Sequence, residues 1–179
     1  MKLSPLDASH RALGAKITEF GGWEMPLSYA NGTLAEHTAC RQGAAMFDVS
    51  HLGTVRVEGA DAFNRLQSVL TNDLTKIRPG RAQYTHLLDE NDASVVDDII
   101  VWWVHENRFD VMPNASNTDG VVAAIGGNDV TAERAVIAVQ GPSARDCVNR
   151  FWPQAAAVKR FDVAEVMCDD TVCVVAGTG

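Results

Sequence analysis

Apolar and polar positions change period several times along this chain, and each change predicts an element. Val55 and Val57 alternate with Arg56 and Glu58, the two-residue period of a half-buried strand. Asp61 then stands where a helix N-cap belongs. Phe63, Leu66 and Leu70 follow at helical spacing, and Thr71-Asn72-Asp73 ends that helix. Residues 82–88 read as a strand, residues 89–94 as a turn, and the apolar run from Val95 to Val104 as the second arm of a hairpin. A strand over 109–112 follows the turn at 105–107, and Ser116 or Asn117 caps a helix running through Ile125. Residues 135–139 form another strand. Gly141-Pro142 opens the next helix, with proline in its favoured first-turn position. Residues 163–167 and 171–175 make a second hairpin around Asp169-Asp170. The first fifty residues are less regular: a short helix over 34–40, and a loop over 20–26 that carries buried aromatics. Short strands in hairpins with interspersed helices predict an α+β fold with antiparallel sheets and flanking helices.

Within the run from Val95 to Val104, two adjacent carboxylates, Asp97 and Asp98, interrupt β-branched and aromatic residues. Such a run suits a strand covered on both faces. Neighbours on a strand point to opposite faces, so Asp97 falls with Val95, Ile99 and Val101, and Asp98 with Val96, Ile100 and Trp102. If the strand starts at Val95, at least one carboxylate faces an apolar layer and needs a partner, which could be a ligand. If it starts only at Ile99, both acids stand in a solvated lead-in. Residue patterns alone leave both readings open, with the solvated one the plainer.

Composition narrows the class. With 179 residues, 46% apolar and 21% charged, the chain suits one ordinary globular domain. A net charge of −8 disfavours nucleic acid as a partner, because phosphate binding wants basic surface. The N-terminus has no apolar stretch of a secretory signal, and no apolar run spans a membrane, so a cytoplasmic protein is expected. Cys40, Cys147, Cys168 and Cys173 include no C-x-x-C pair and read as reduced, core-filling thiols. Cys168 and Cys173, taken along a strand, would point to opposite faces and share no role.

Other candidates carry plain alternatives. Asp48, Ser50 and His51 lie too close in sequence to suggest a triad, and read as a turn in which the polar side chains bond local backbone amides. The remaining histidines, His10, His37, His86 and His105, are scattered without the spacing of a helical metal site, so no metal is expected. Tyr84 is a cross-strand aromatic able to reach the acidic strand. Asn114 and Asn117 are either helix caps or amides that read the donor–acceptor edge of a heterocycle.

The segments Phe20-Gly21-Gly22-Trp23-Glu24-Met25-Pro26, Phe47-Asp48-Val49-Ser50-His51-Leu52-Gly53, Thr71-Asn72-Asp73-Leu74, Gln83-Tyr84-Thr85, Val96-Asp97-Asp98-Ile99-Ile100-Val101, Pro113-Asn114-Ala115-Ser116-Asn117 and Val139-Gln140-Gly141-Pro142 occur in an order and spacing that closely resemble the glycine cleavage system T protein, an aminomethyltransferase. Each motif alone is weak; the ordered set, spanning the chain, is specific. The resemblance implies a folate-binding T-protein-like region over residues 1–179, as one body or as two interleaved subdomains, without the family's C-terminal barrel. It implies transfer of a one-carbon unit from the aminomethyl-dihydrolipoyl arm of the glycine cleavage H protein to tetrahydrofolate, with release of ammonia. It makes Asp98 the catalytic acid at the folate nitrogens, Asp97 its structural support, and Leu52, Tyr84, Ile100 and Asn114 the lining of the pterin site.

Two departures qualify the resemblance. The family commonly has two glycines before the acidic strand, where this chain has Ala93-Ser94. Family members also continue past this chain's end with a Tyr-Thr-Gly-Glu segment and an arginine that helps hold the folate, and Gly177 stands at a position often filled by arginine. The chain is then either a piece of a longer protein or a short form with an incomplete pocket, and an exposed apolar surface prone to self-association is expected. The alternatives are a folate-dependent demethylase relative and a non-catalytic folate-binding or interaction module.

Overall fold

The computed structural model describes residues 1–178, so Gly179, the end of the Gly177-Thr178-Gly179 run, lies outside the described residues. The chain forms two compact units: Met1–Leu52 with Thr131–Ala156, and Gly53–Val130 with the chain from Ala157 onward.

The first unit opens with β1 (Lys2–Leu3), α1 (Asp7–Ala12), β2 (Lys16–Phe20) and β3 (Trp23–Ser28). β3 is the middle strand, parallel to β1 and antiparallel to β2. Residues 20–26, expected as a loop, are therefore mostly hairpin. Gly21 and Gly22 take positive φ and reverse the chain in two residues, after which Trp23 and Met25 alternate inward and are buried. Pro26 argues against a central strand, but it pairs with Ile17 where the register is irregular, the setting in which a sheet tolerates proline. α2 (Gly32–Gln42), which contains the predicted helix, and β4 (Ala45–Asp48) complete this stretch.

The second unit is built on a five-stranded sheet. Its elements are β5 (Val55–Glu58), α3 (Ala62–Val69), β6 (Arg81–Leu88), β7 (Val95–His105), β8 (Arg108–Met112), α4 (Thr118–Ile125) and β9 (Asn128–Asp129). The strand order is β6-β7-β8-β5-β9, antiparallel throughout. One face carries the main core: Val55, Val57, Ile99, Val101, Phe109 and Val111 pack with Leu66 of α3 and Val121 and Ile125 of α4. α3 presents its apolar residues at the spacing read from the sequence. Asp61 takes the N-cap position but makes no side-chain capping bond.

The chain then returns to the first unit with β10 (Ile137–Gln140), which pairs antiparallel with β4, and with α5 (Ala144–Asn149) and α6 (Pro153–Ala156). The strand lies one to two residues later than predicted, and Pro142 stands outside the helix, before its N-cap Ser143. Gly141 sets this register. Its φ is 118°, and an added Cβ would stand 2.3 Å from the Gly43 carbonyl, so the chain turns at Gly141 and the helix waits.

β11 (Val163–Cys168) and β12 (Thr171–Ala176) form the predicted second hairpin in the second unit. It covers the other face of the sheet: Val163, Val174 and Ala176 pack with Ala82, Ile100, Trp102 and Val104. Helices on one side and this hairpin on the other explain why β7 reads as apolar on both faces. The expectation that Cys168 and Cys173 face opposite ways is corrected here. Cys168 pairs with Thr171 and Val166 with Cys173, which puts both cysteines on one face, because the two-residue turn at Asp169-Asp170 resets the parity. All four cysteines are free thiols and half-buried, outside the two apolar clusters.

Candidate functional site

The acidic strand starts at Val95, so the solvated lead-in reading is overturned. The paired register with β6 carries it past the acids: Leu87 opposes Asp97 and His86 opposes Asp98. Strand parity then separates the two carboxylates. Asp97 points into the core side and is 3% exposed. Asp98 points to the opposite face, its side chain 66% exposed.

What pairs with the buried acid is the protein itself. Asp97 Oδ2 accepts the backbone N–H of Asn114 at 3.0 Å. Its Oδ1 accepts the Asn114 side-chain amide at 2.7 Å, that of Asn117 at 2.9 Å and the Asp98 N–H at 3.1 Å. Asn114 Nδ2 also donates to the Asp98 carbonyl at 3.3 Å, and Asn117 Nδ2 to the Val96 carbonyl at 3.2 Å. A buried carboxylate with four donors is satisfied and needs no ligand. Neither asparagine caps α4 through its side chain. Both instead lash the loop before that helix to β7. Because the Asn114 nitrogen faces only acceptors, its amide has one sensible orientation, and among the described residues its Oδ1 has no partner.

Gly53 makes the same loop possible. Its N–H donates to the Pro113 carbonyl, and a Cβ there would stand 2.3 Å from Thr118 Oγ1 and 2.7 Å from Pro113 Cγ. The loop thus closes on bare backbone.

On the same face as Asp98, Tyr84 and Ile100 are directly paired, one step along from His86 and Asp98. Tyr84 is 49% exposed, and its ring meets Phe161 edge-on with centroids 6.1 Å apart. His86 Nε2 lies 3.8 Å from Asp98 Oδ1. The segment Thr71-Asn72-Asp73 fixes β6 from its outer edge: Asn72 Nδ2 donates to the Tyr84 carbonyl, and Thr71 and His86 exchange bonds through Thr71 Oγ1 and backbone. The structure therefore brings Asp98, Tyr84 and Ile100 onto one sheet face, Ile100 packed with the β11–β12 hairpin and Asp98 and Tyr84 exposed beside it, with Asn114 bonded to the Asp97 carboxylate and the Asp98 carbonyl. A flat aromatic with an exposed carboxylate and a free amide oxygen close by can hold a planar heterocycle and exchange a proton with it. Sequence reading missed His86 and Phe161 as parts of this neighbourhood, and it named Asn117 as a cap or a ligand amide rather than as a partner of Asp97. Counting back through the predicted turn sets His86 opposite Asp97; the register shift between Leu87 and Leu88 moves it to Asp98, and the asparagine brace and Phe161 come from distant chain.

Leu52 belongs to the first unit, where its N–H donates to the Val49 carbonyl. In the same turn Asp48 Oδ1 accepts the Ser50 N–H at 2.9 Å, the local bond expected there. The rest of the turn's chemistry is not local. Ser50 Oγ accepts the Val136 N–H, and Asp48 Oδ2 accepts Ser4 Oγ–H and His10 Nε2, the latter at 2.7 Å. His10 Nδ1 lies 2.7 Å from the Tyr29 hydroxyl. Burial alone would raise the Asp48 carboxyl, but the bonds from Ser4, Ser50 and His10 outweigh it and hold it below the usual carboxylate range. Burial lowers the His51 imidazole, with the Asp48 charge opposing. Among the described residues no three His, Cys, Asp or Glu side chains are grouped to hold a metal, and no helix is long and apolar enough to cross a membrane.

Comparison with known proteins identifies the family. The family pattern described as the GCVT N-terminal domain matches residues 6–179. An aminomethyltransferase of Mycobacterium avium is 46% identical over 150 residues, covering 79% of this chain and 40% of that protein. One from Parafrankia is 43% identical over 175 residues, covering 92% of this chain and 48% of that protein. The chain thus spans less than half the length of these relatives. The crystal structure of glycine cleavage system aminomethyltransferase T from Bartonella henselae superposes with a TM-score of 0.78 at 31% identity, over 94% of this chain and 48% of that one. The chain therefore belongs to the glycine cleavage T-protein, or aminomethyltransferase, family and corresponds to its N-terminal part.

Proposed function

We propose that the protein carrying this chain is a tetrahydrofolate-dependent aminomethyltransferase of the glycine cleavage system, and that this chain supplies its folate-facing sheet. The observation that carries the reading is the division of the acid pair. Asp97 is spent on holding the Asn114–Asn117 loop, which leaves Asp98 exposed on the Tyr84–Ile100 face.

The donor is an aminomethyl group on the dihydrolipoyl sulfur of the H protein. The methylene carbon exchanges its bonds to sulfur and nitrogen for bonds to two folate nitrogens. The two folate N–H protons end on the departing thiol and ammonia. Asp98 takes and returns the proton at the attacking folate nitrogen, while Tyr84 and Ile100 seat the ring and Asn114 Oδ1 accepts from its edge.

The test is Asp98→Asn, which keeps shape and removes the carboxylate. Methylenetetrahydrofolate formation from aminomethylated H protein is expected to fall by about 100-fold or more, the usual size of a general acid–base contribution. Circular dichroism should remain that of the parent. A rate within a few-fold of the parent overturns the assignment. Replacing H protein with methylated amines should give no product; turnover with those donors would move the protein to the demethylase reading.

A further inference from the structure

We propose that Cys168 and Cys173 form a reversible redox site: a dithiol that closes to a disulfide across the β11–β12 hairpin on exchange with a low-molecular-weight disulfide. The site does not depend on the aminomethyltransferase reading.

The geometry starts from the register. Cys168 pairs with Thr171 and Cys173 with Val166, so the cysteines are diagonal neighbours on one face, beside the turn at Asp169-Asp170. Diagonal neighbours of an antiparallel pair stand roughly 7–8 Å apart, so joining two short cysteine side chains requires the turn end of the hairpin to shift. Both are free and half-buried, so reagent can approach them. Burial, the neighbouring Cys173 thiol and the Asp169 charge push the Cys168 thiol up.

The hairpin is held at its other end, where Val163, Val174 and Ala176 pack on the sheet. Near the turn Met167 and Val172 are exposed, so the cysteine end has room to adjust. A directly opposed pair would match disulfide spacing more closely than a diagonal one. The diagonal bond therefore forms with some strain, and strained, accessible disulfides are the labile kind. That suits reversal by cellular thiols rather than a permanent link.

The exchange balances without any group the chain lacks. The Cys173 thiolate attacks one sulfur of glutathione disulfide, forming a mixed disulfide and releasing one glutathione thiolate. The Cys168 thiolate then attacks the Cys173 sulfur and releases the second. Two protein thiols are oxidised, one glutathione disulfide is reduced to two thiols, and the two protons pass to the departing thiolates. Cys168 holds its proton more tightly than an ordinary thiol, which assigns it the second, resolving step.

Incubation of the 179-residue chain with glutathione disulfide, followed by intact mass and peptide mapping, tests this. The expected product has lost two hydrogen atoms, carries no glutathione at Cys168 or Cys173, and yields a peptide linking them. It reverts on dithiothreitol treatment. Cys168→Ser should instead retain glutathione at Cys173. A double variant, Cys40→Ser with Cys147→Ser, should oxidise as the parent does. Persistent mixed disulfide or unreacted thiol at Cys168 and Cys173 in the parent, or a linked peptide containing Cys40 or Cys147, overturns the proposal.

Discussion

One residue step along β7 separates two different uses of the same functional group. Asp97 and Asp98 differ in nothing but parity, yet one is enclosed by four donors and the other is open to solvent. Parity was legible in the sequence, and it correctly divided the pair once the strand's start at Val95 was known. Which face was closed was not legible, because the closing groups, Asn114 and Asn117, lie 17 and 20 residues away and reach β7 only through the fold. The buried acid is the more important of the two for stability. Asp97→Ala would leave the Asn114 N–H and both side-chain amides facing a void without an acceptor. Losing a buried charged acceptor of this kind costs about 2–4 kcal/mol. A fall of that size in urea-derived stability is expected, and Asp97→Asn should recover only part of it, because its amide nitrogen would meet donors where an acceptor is needed. An Asp97→Ala protein as stable as the parent would show that the brace contributes nothing.

At the scale of elements, the hairpin β6–β7 delivers Asp98, and its turn departs from the family's glycines. Asp89 organises that turn. Its N–H donates to the Ser94 carbonyl, its carbonyl accepts from Ala93, and its carboxylate accepts the Asn91 N–H. Closing it leaves Ala93 at a φ of 59°, in the left-handed region that a Cβ disfavours by about 1 kcal/mol. Ala93→Gly removes the strain but adds freedom to the unfolded chain, so a net gain of about 0.5 kcal/mol is expected. Thermal melting should show it as a small rise in Tm, and a fall would mean that Ala93 is not strained. The turn positions were readable from their Asp, Asn and Ser residues, as was the α3 face from its spacing. The β2–β3 hairpin was not, because two glycines, two aromatics and a proline within seven residues fit a loop equally well. Its sheet membership depends on β1 arriving from the N-terminus to pair with β3.

For the whole molecule, acid is expected to act on the first unit through Asp48 and His51. The net charge of −8 shrinks as carboxylates protonate, which relieves general repulsion, but that repulsion is screened beyond about 8 Å at physiological salt. The Asp48 bonds are contacts below 3 Å between buried groups and escape most of that screening. Asp48 is held below its ordinary range in the folded chain, so the unfolded state takes up a proton first as pH falls. Its contribution to stability is complete above about pH 4 and is lost on further acidification. His51, lowered mainly by burial, works in the same direction from higher pH: the unfolded imidazole gains a proton below about pH 6.5 before the folded one does. Stability followed by thermal melting should therefore decline in two stages on acidification, a shallow one below about pH 6.5 and a steeper one below about pH 4. Asp48→Asn is expected to lower stability at pH 7 and flatten the steep stage. His51→Asn should flatten only the shallow one. If Asp48→Asn melts with the parent's acid slope, the Ser4–His10–Asp48 network is not what ties β4 to the N-terminal helix.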